Sequence, residues 1–217
     1  MSTRKTASPE KTLPPSKRDR TRRRLLQAGV KVFAGKGIEA ASIQEIAATA
    51  GVANGTFYNY FQSKEEIMEA AAIWVGVDYC ERIKASAAHI PDGAERMSIG
   101  GRHYMTMALA QPELARFMIS VAVFSPIWAE QVEPYILADL TLGVKQKRFA
   151  IASTAAAIDM ITGTNFAGIN SLLTGRTGRA HIPAVSATIL RGLGMAPKEA
   201  DEIARRPLPP LPPAPEA

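Results

Sequence analysis

Cysteine occurs once, at Cys80, in a chain of 217 residues. One thiol cannot close an intramolecular disulfide or build a thiolate metal cluster. Histidine is nearly as scarce. His89, His103 and His181 stand far apart and none falls in the paired spacing of a metal site, so neither metal nor cofactor is expected. The longest apolar run, residues 117–128, is broken by Ser125 and Pro126 and falls short of the roughly 18 residues a membrane helix needs. The N-terminus is basic but has no apolar segment of the signal-peptide kind, so a cytoplasmic home is expected. No stretch alternates like a strand. A Gly-rich phosphate loop, a metal-spaced His and Glu pair and a nucleophile elbow are all missing, and Gly192 with Gly194 is a lone fragment, which argues against an enzyme.

With 47% apolar residues, the chain can bury a core of one or two domains. Its net charge of +6 is placed unevenly. Residues 1–24 hold nine basic side chains against Glu10 and Asp19, a net +7, and the remaining 193 residues carry 17 basic and 18 acidic groups. Such an arm is the electrostatic footprint of phosphate binding, with affinity that falls steeply with salt. Residues 1–16 are rich in Ser, Thr, Pro and Lys, have no period, and read as a disordered basic arm.

The stretch that organises the rest is residues 42–64, SIQEIAATAGVANGTFYNYFQSK. Ser42 and Glu45 are spaced as a capping box, and Ile43, Ile46, Ala47 and Ala50 then form one narrow apolar face. Gly51 ends that helix and Val52 can tuck into the core. A second short helix begins at Ala53 or Asn54; Ala53 has no side-chain oxygen, so the cap falls to Asn54. Phe57 and Phe61, four apart, point inward and leave Thr56, Tyr58, Asn59 and Tyr60 pointing elsewhere. Two tyrosines, an amide and a hydroxyl beside the small Gly55 suit close contact with a DNA groove. Helix, glycine-marked turn, helix is the helix-turn-helix plan.

The words AGV, GTFYNYF and SKEEI, in this order and spacing, closely resemble the tetracycline-repressor (TetR) family of bacterial transcriptional regulators over roughly residues 20–72. Members often carry Ser then Lys where this chain has Ala53 and Asn54, so one Lys phosphate contact is missing. The resemblance implies an all-α protein with a three-helix DNA-binding head and a larger helical ligand-binding and dimerisation domain. It also implies a homodimer joined by a four-helix bundle of the last two major helices, and a ligand that tilts a connecting helix to release DNA.

Around that head, Leu26, Val30 and Phe33 make an apolar stripe on a first helix that stops at Gly35 or Gly37. Ser63 and Glu66 form a second capping box opening a long helix to about residue 87. A break at Pro91 to Gly93 precedes helices over 94–110, from Pro112, and over 130–149, the last with Ile136, Leu140 and Val144 inward. Residues 150–174 and 182–193 read as two late helices poor in charge, with Gly163 and Ala167 allowing close approach; their apolar surface favours a homodimer interface. Residues 197–206 read as a terminal helix and 207–217 as a polyproline II tail, a spacer or strap before an SH3-type ligand. The domains are thus 1–16, 17–63, 64–206 and 207–217.

The expected function is a DNA-binding regulator, a repressor released from a palindromic double-stranded operator by a small apolar or aromatic effector. Thr56 and Asn59 are candidates for base edges, Tyr58 for a thymine methyl or phosphate, and Gly55 for close backbone approach. Ser42, Tyr60 and Lys64 are candidates for phosphate, with Ala53 and Asn54 in the same interface. Candidates for the effector pocket are His103, Tyr104, Met107, Phe117, Met118, Phe124, Trp128, Asn165 and Phe166, a Met- and aromatic-rich set that at helical spacing also suits plain core. The rivals are an architectural DNA-binding dimer without ligand, which a pocketless core would favour, and an enzyme.

Overall fold

A computed structural model describes residues 16–214. The expected disordered arm, Ser16 apart, lies outside the described residues. Ten helices follow one another: α1 (Lys17–Lys36), α2 (Ile43–Thr49), α3 (Asn54–Phe57), α4 (Lys64–Ser86), α5 (Gly93–Ala110), α6 (Pro112–Ala122), α7 (Pro126–Lys145), α8 (Thr154–Leu173), α9 (His181–Gly192) and α10 (Pro197–Ala204). There is no strand among the described residues, so the fold is all-α.

The complete capping box is one the arm concealed. Ser16 accepts from the Asp19 N–H at 3.1 Å while Asp19 reaches back to the Ser16 N–H at 3.1 Å. Both expected boxes are half formed. Ser42 accepts from Glu45 N–H at 3.3 Å, but Glu45 is turned away by an ion pair with Lys36. Ser63 accepts from Glu66 N–H at 3.1 Å, but the Glu66 carboxylate takes the N–H of Gln62, one residue before the cap. Nor does Asn54 cap α3. It is the first helical residue, and Ala53 occupies the cap with no side-chain bond.

Two large buried cores and a small cluster around Cys80, Trp128 and Val132 hold the chain, and α4 contributes to all three. Leu25, Phe33, Ile46, Phe57 and Phe61 close the head together with Ile67 and Ala71 of α4. Tyr79 and Ile83 of the same helix join Met105, Leu140, Ile161, Leu190 and Ile203 in the body. Helix α6 also reaches the head: its Phe117 ring stacks on Phe33 with centroids 5.3 Å apart. Such a pair contributes about 0.5–1.5 kcal/mol beyond its buried area.

Helix α7 starts earlier and stops sooner than its apolar spacing implied. Ser125 caps it by accepting from Trp128 N–H at 3.0 Å, and Pro126 suits the first turn because it lacks the N–H that would be unsatisfied there. Its end is set by geometry: Lys147 adopts φ 59° and Arg148 N–H returns to the Gly143 carbonyl at 2.8 Å. Gly143 is hemmed in by the Phe149 ring on one side and backs Gly93 on the other. Val144, expected inward, is exposed, and the neighbouring Gly143 makes the contact with the start of α5. Arg148 then ties the corner by pairing with Asp92 at 3.2 Å and Glu199 at 2.6 Å.

On α8 the close intrachain approach is made by Gly168, which packs on Val185 and Met105, and not by Gly163, whose surroundings are open. Gly163, Ala167 and Asn170 of α8, with Ala184 and Thr188 of α9, form an exposed face poor in charge, with Asp159 and Arg191 at one end and Arg176 at the other.

Lys147 is the one described non-glycine residue with positive φ. A side chain there costs about 1–2 kcal/mol, partly offset in glycine by the entropy of the unfolded chain. Lys147→Gly is expected to stabilise the fold by about 0.5–1 kcal/mol in a denaturant titration.

Candidate functional site

The α2–α3 turn is closed by backbone hydrogen bonds around a glycine in the left-handed region. Gly51 takes φ 64°, its N–H meets the Ala48 carbonyl at 3.0 Å, and Val52 N–H meets the Ala47 carbonyl at 3.0 Å. Arg24 of α1 donates to the carbonyls of Ala50 and Gly51, laying a positive charge at the negative end of α2. A Cβ on Gly51 would lie 2.8 Å from that guanidinium.

Beyond the turn, Phe57 and Phe61 are sealed in the head while Ala53, Asn54, Gly55, Tyr58 and Asn59 face solvent. Tyr58 is 52% exposed and its ring meets Phe57 edge-on, which holds it upright on the surface. Thr56, Tyr60 and Ser42 are half-buried. Lys64 is half-buried too, and its ammonium donates to the carbonyls of Ile38 at 3.0 Å and Glu39 at 3.4 Å, stitching the α1–α2 link to the start of α4. Arg18, Arg22 and Arg24 line the exposed start of α1, with Arg22 over the Phe61 ring at 5.3 Å.

In the body a cavity of about 470 Å³ opens between α4, α5, α7 and α8. It takes four of the nine expected residues: Tyr104, Trp128, Asn165 and Phe166. The other five lie elsewhere. Met107 and Met118 are inside the body core, Phe117 is at the seam with the head, Phe124 is 84% exposed on the α6–α7 turn, and His103 faces the C-terminal tail.

The cavity is lined mainly by apolar side chains, with Val132, Ile161 and Ile169 among them and Glu81, Lys84, Arg96, Glu130 and Asp139 charged; three lining residues have a buried polar atom without a partner, Trp128 Nε1 beside Gly76, Thr162 Oγ1, and Asn165 Oδ1 beside Gly101. Asn165 Nδ2 is used on the Ile161 carbonyl at 3.0 Å, which fixes the amide with its oxygen free. Tyr104 OH sits 3.1 Å from Cys80 Sγ and 3.3 Å from the Gly76 carbonyl. Burial pushes the Cys80 thiol up to about 11 and the Tyr104 phenol far above its usual value, so both are neutral. The Cys80 thiolate needed for nucleophilic attack is therefore absent at neutral pH. At the rim Arg96 pairs with Asp139 at 2.7 Å, and burial raises the Asp139 carboxyl despite that guanidinium.

The expected set omitted the cavity's α4 and α7 walls, among them Cys80, Glu81, Val132 and Tyr135. Two signals were available. The Gly100 and Gly101 pair thins α5 where Asn165 approaches within 2.7 Å of a Cβ built on Gly101, and Pro134 interrupts the hydrogen-bond ladder of α7 beside the cavity.

Residues 25–71 match the family described as bacterial regulatory proteins, tetR family, and residues 92–206 match the tetracyclin repressor-like C-terminal domain. The chain belongs to the TetR family. This TetR-family chain is 47% identical over 49 residues to the HTH-type transcriptional regulator YvdT of Bacillus subtilis (strain 168), covering 23% of this chain and 25% of that protein. It is 39% identical over 56 residues to the HTH-type transcriptional repressor KstR2 of Mycolicibacterium smegmatis, 26% of this chain and 25% of that one. The match thus spans about a quarter of the length of these curated relatives. Over nearly the whole fold it is similar to the crystal structure of RolR in complex with resorcinol, with TM-score 0.78 and 28% identity, covering 90% of this chain and 98% of that one. FadR of Bacillus subtilis in complex with stearoyl-CoA shares the fold at 20% identity, with TM-score 0.62 over 79% of this chain and 96% of that one.

Gly51→Ala adds a strained φ and displaces Arg24, so a loss of about 1–3 kcal/mol is expected in thermal unfolding, with the head melting first by hydrogen exchange.

Proposed function

We propose that this chain is a homodimeric DNA-binding repressor released from its operator by a small hydroxylated aromatic molecule. The observation that carries the reading is the double duty of α4, whose Ile67 and Ala71 close the head core while Cys80 and Ile83 wall the cavity. A molecule entering the cavity therefore presses on a helix whose other half supports the DNA-facing residues.

In this reading residues 53–60 of each subunit enter a major groove, Asn59 and Thr56 meet base edges, Tyr58 a thymine methyl or phosphate, and Gly55 allows close approach. Ser42 and Tyr60 hold phosphates. Lys64 has two of its three protons committed to carbonyls, which leaves one for a phosphate at the start of α4. Pairing of α8 and α9 across a two-fold axis is supported by their exposed face poor in charge. It makes the operator a near-palindrome with half-sites about 34 Å apart.

The cavity supports a sensor over an architectural dimer. A mainly apolar volume whose lining includes Tyr104, Thr162 and Asn165 suits a ring carrying hydroxyl groups, and the similarity to RolR, whose complex holds resorcinol, supports the same chemistry. Operator and effector then weaken each other by a reciprocal coupling of about 1–3 kcal/mol.

A gel-shift titration with DNA flanking the gene tests the first half. Tyr58→Ala with Asn59→Ala should weaken binding by at least about tenfold with circular dichroism unchanged, and unchanged affinity and salt slope would refute the interface. Dihydroxybenzenes added to the complex should release DNA from the native chain. Trp128→Phe and Asn165→Leu should each raise the concentration needed by about 5–10-fold, having removed one hydrogen bond to the ligand.

A further inference from the structure

Residues 207–214 lie past residue 206, where the second family match ends, and they cross the body in contact with α4 and α5. Three carbonyls, those of Arg206 and of two tail residues, are engaged at a spacing of three. Arg102 Nη1 donates to the Arg206 carbonyl at 2.6 Å, His103 donates to the Pro209 carbonyl, and Arg82 Nε donates to the Pro212 carbonyl at 2.8 Å. Leu208 and Leu211, also three apart, pack against the body core. Polyproline II repeats every three residues, so one edge of the tail presents acceptors and another presents leucines.

The groove is complementary to that chemistry. A proline backbone can only accept hydrogen bonds, and the groove supplies two guanidinium groups and an imidazole. Arg102 and His103 are only 5% and 4% exposed, and Arg102 Nη2 and His103 Nε2 have no partner. On α4 the cavity side carries Cys80, Lys84 and Ala87, and Arg82 points the opposite way at 3.6 residues per turn; on α5 Arg102 likewise turns away from Met97 and Tyr104. The groove is thus separate from the effector cavity.

We infer that the α4–α5 face carrying Arg82, Arg102 and His103 is a binding groove for leucine–proline segments in polyproline II form. Residues 207–214 occupy it in cis and latch the body half of α4 to α5. Burial, Arg102 of the same helix and Arg82 across from it hold the His103 imidazole down at about 4, so it is neutral under the latch at ordinary pH.

A chain ending at Arg206, titrated with a synthetic PLPPLPPAPEA peptide by calorimetry and by the His103 ring signals in NMR, tests the groove without any DNA. Saturable one-to-one binding is expected, at least about tenfold weaker for a peptide with serine in place of both leucines. No binding to the folded shortened chain, or equal binding of the serine peptide, overturns the proposal. If the shortened chain does not fold, the full-length Leu208→Ser, Leu211→Ser variant decides. A His103 titration midpoint that rises from about 4 toward the ordinary 6.5 supports the latch, and an unmoved midpoint refutes it.

Discussion

Helix α4 cannot bury both of its halves against one partner, and the architecture follows from that constraint. Its first turns offer Ile67 and Ala71 to the small helices α1 to α3, which have too little apolar surface to stand without them. Its later turns offer Tyr79 and Ile83 to a different set of helices. A stiff rod of 23 residues, roughly 35 Å long, therefore belongs to two cores at once. Any displacement of one half is felt in the other, because close-packed cores transmit strain rather than absorb it. The stacked Phe33 and Phe117 rings give the head a second anchor on α6.

Many buried polar groups of the body find partners, as Ser98 does with Ser186 at 2.8 Å and Tyr79 does with the His103 carbonyl at 3.1 Å. Around the cavity an indole N–H, a hydroxyl and an amide oxygen are left unpaired, at a cost of about 1–3 kcal/mol each. Sites that recognise a polar ligand tolerate such a cost, because a molecule completing the bonds regains it. Asn165 is held by its own helix through the Ile161 carbonyl, and its oxygen lies beside Gly101.

Much of the fold could be read from residue order. Phe57 and Phe61 face inward, Gly51 takes the left-handed turn, and the helices alternate with breaks at Pro91, Ser125 and Gly175 because those features depend on neighbours a few residues away. The capping boxes were half right for the same reason. The serine bonds to its own helix, whereas the glutamate is free to choose, and Lys36 from another helix drew Glu45 off. The cavity was the least legible part. Phe117, Met107 and Met118 carry the composition expected of a ligand wall, yet they fill space between helices, and composition cannot distinguish a filled volume from an empty one.

Sequence by itself determined the helical class, the helix-turn-helix with its outward Tyr58 and Asn59, the placement of positive charge and the polyproline character of the tail. These rest on periodicity, glycine and proline stereochemistry and local hydrogen bonds. Tertiary structure alone decided which aromatic side chains surround the cavity, that Lys64 spends its ammonium on the carbonyls of Ile38 and Glu39, and that the tail lies across Arg82, Arg102 and His103. Each of these depends on groups from 24 to 130 residues apart being brought together, and their separation in sequence carries no record of that distance in space.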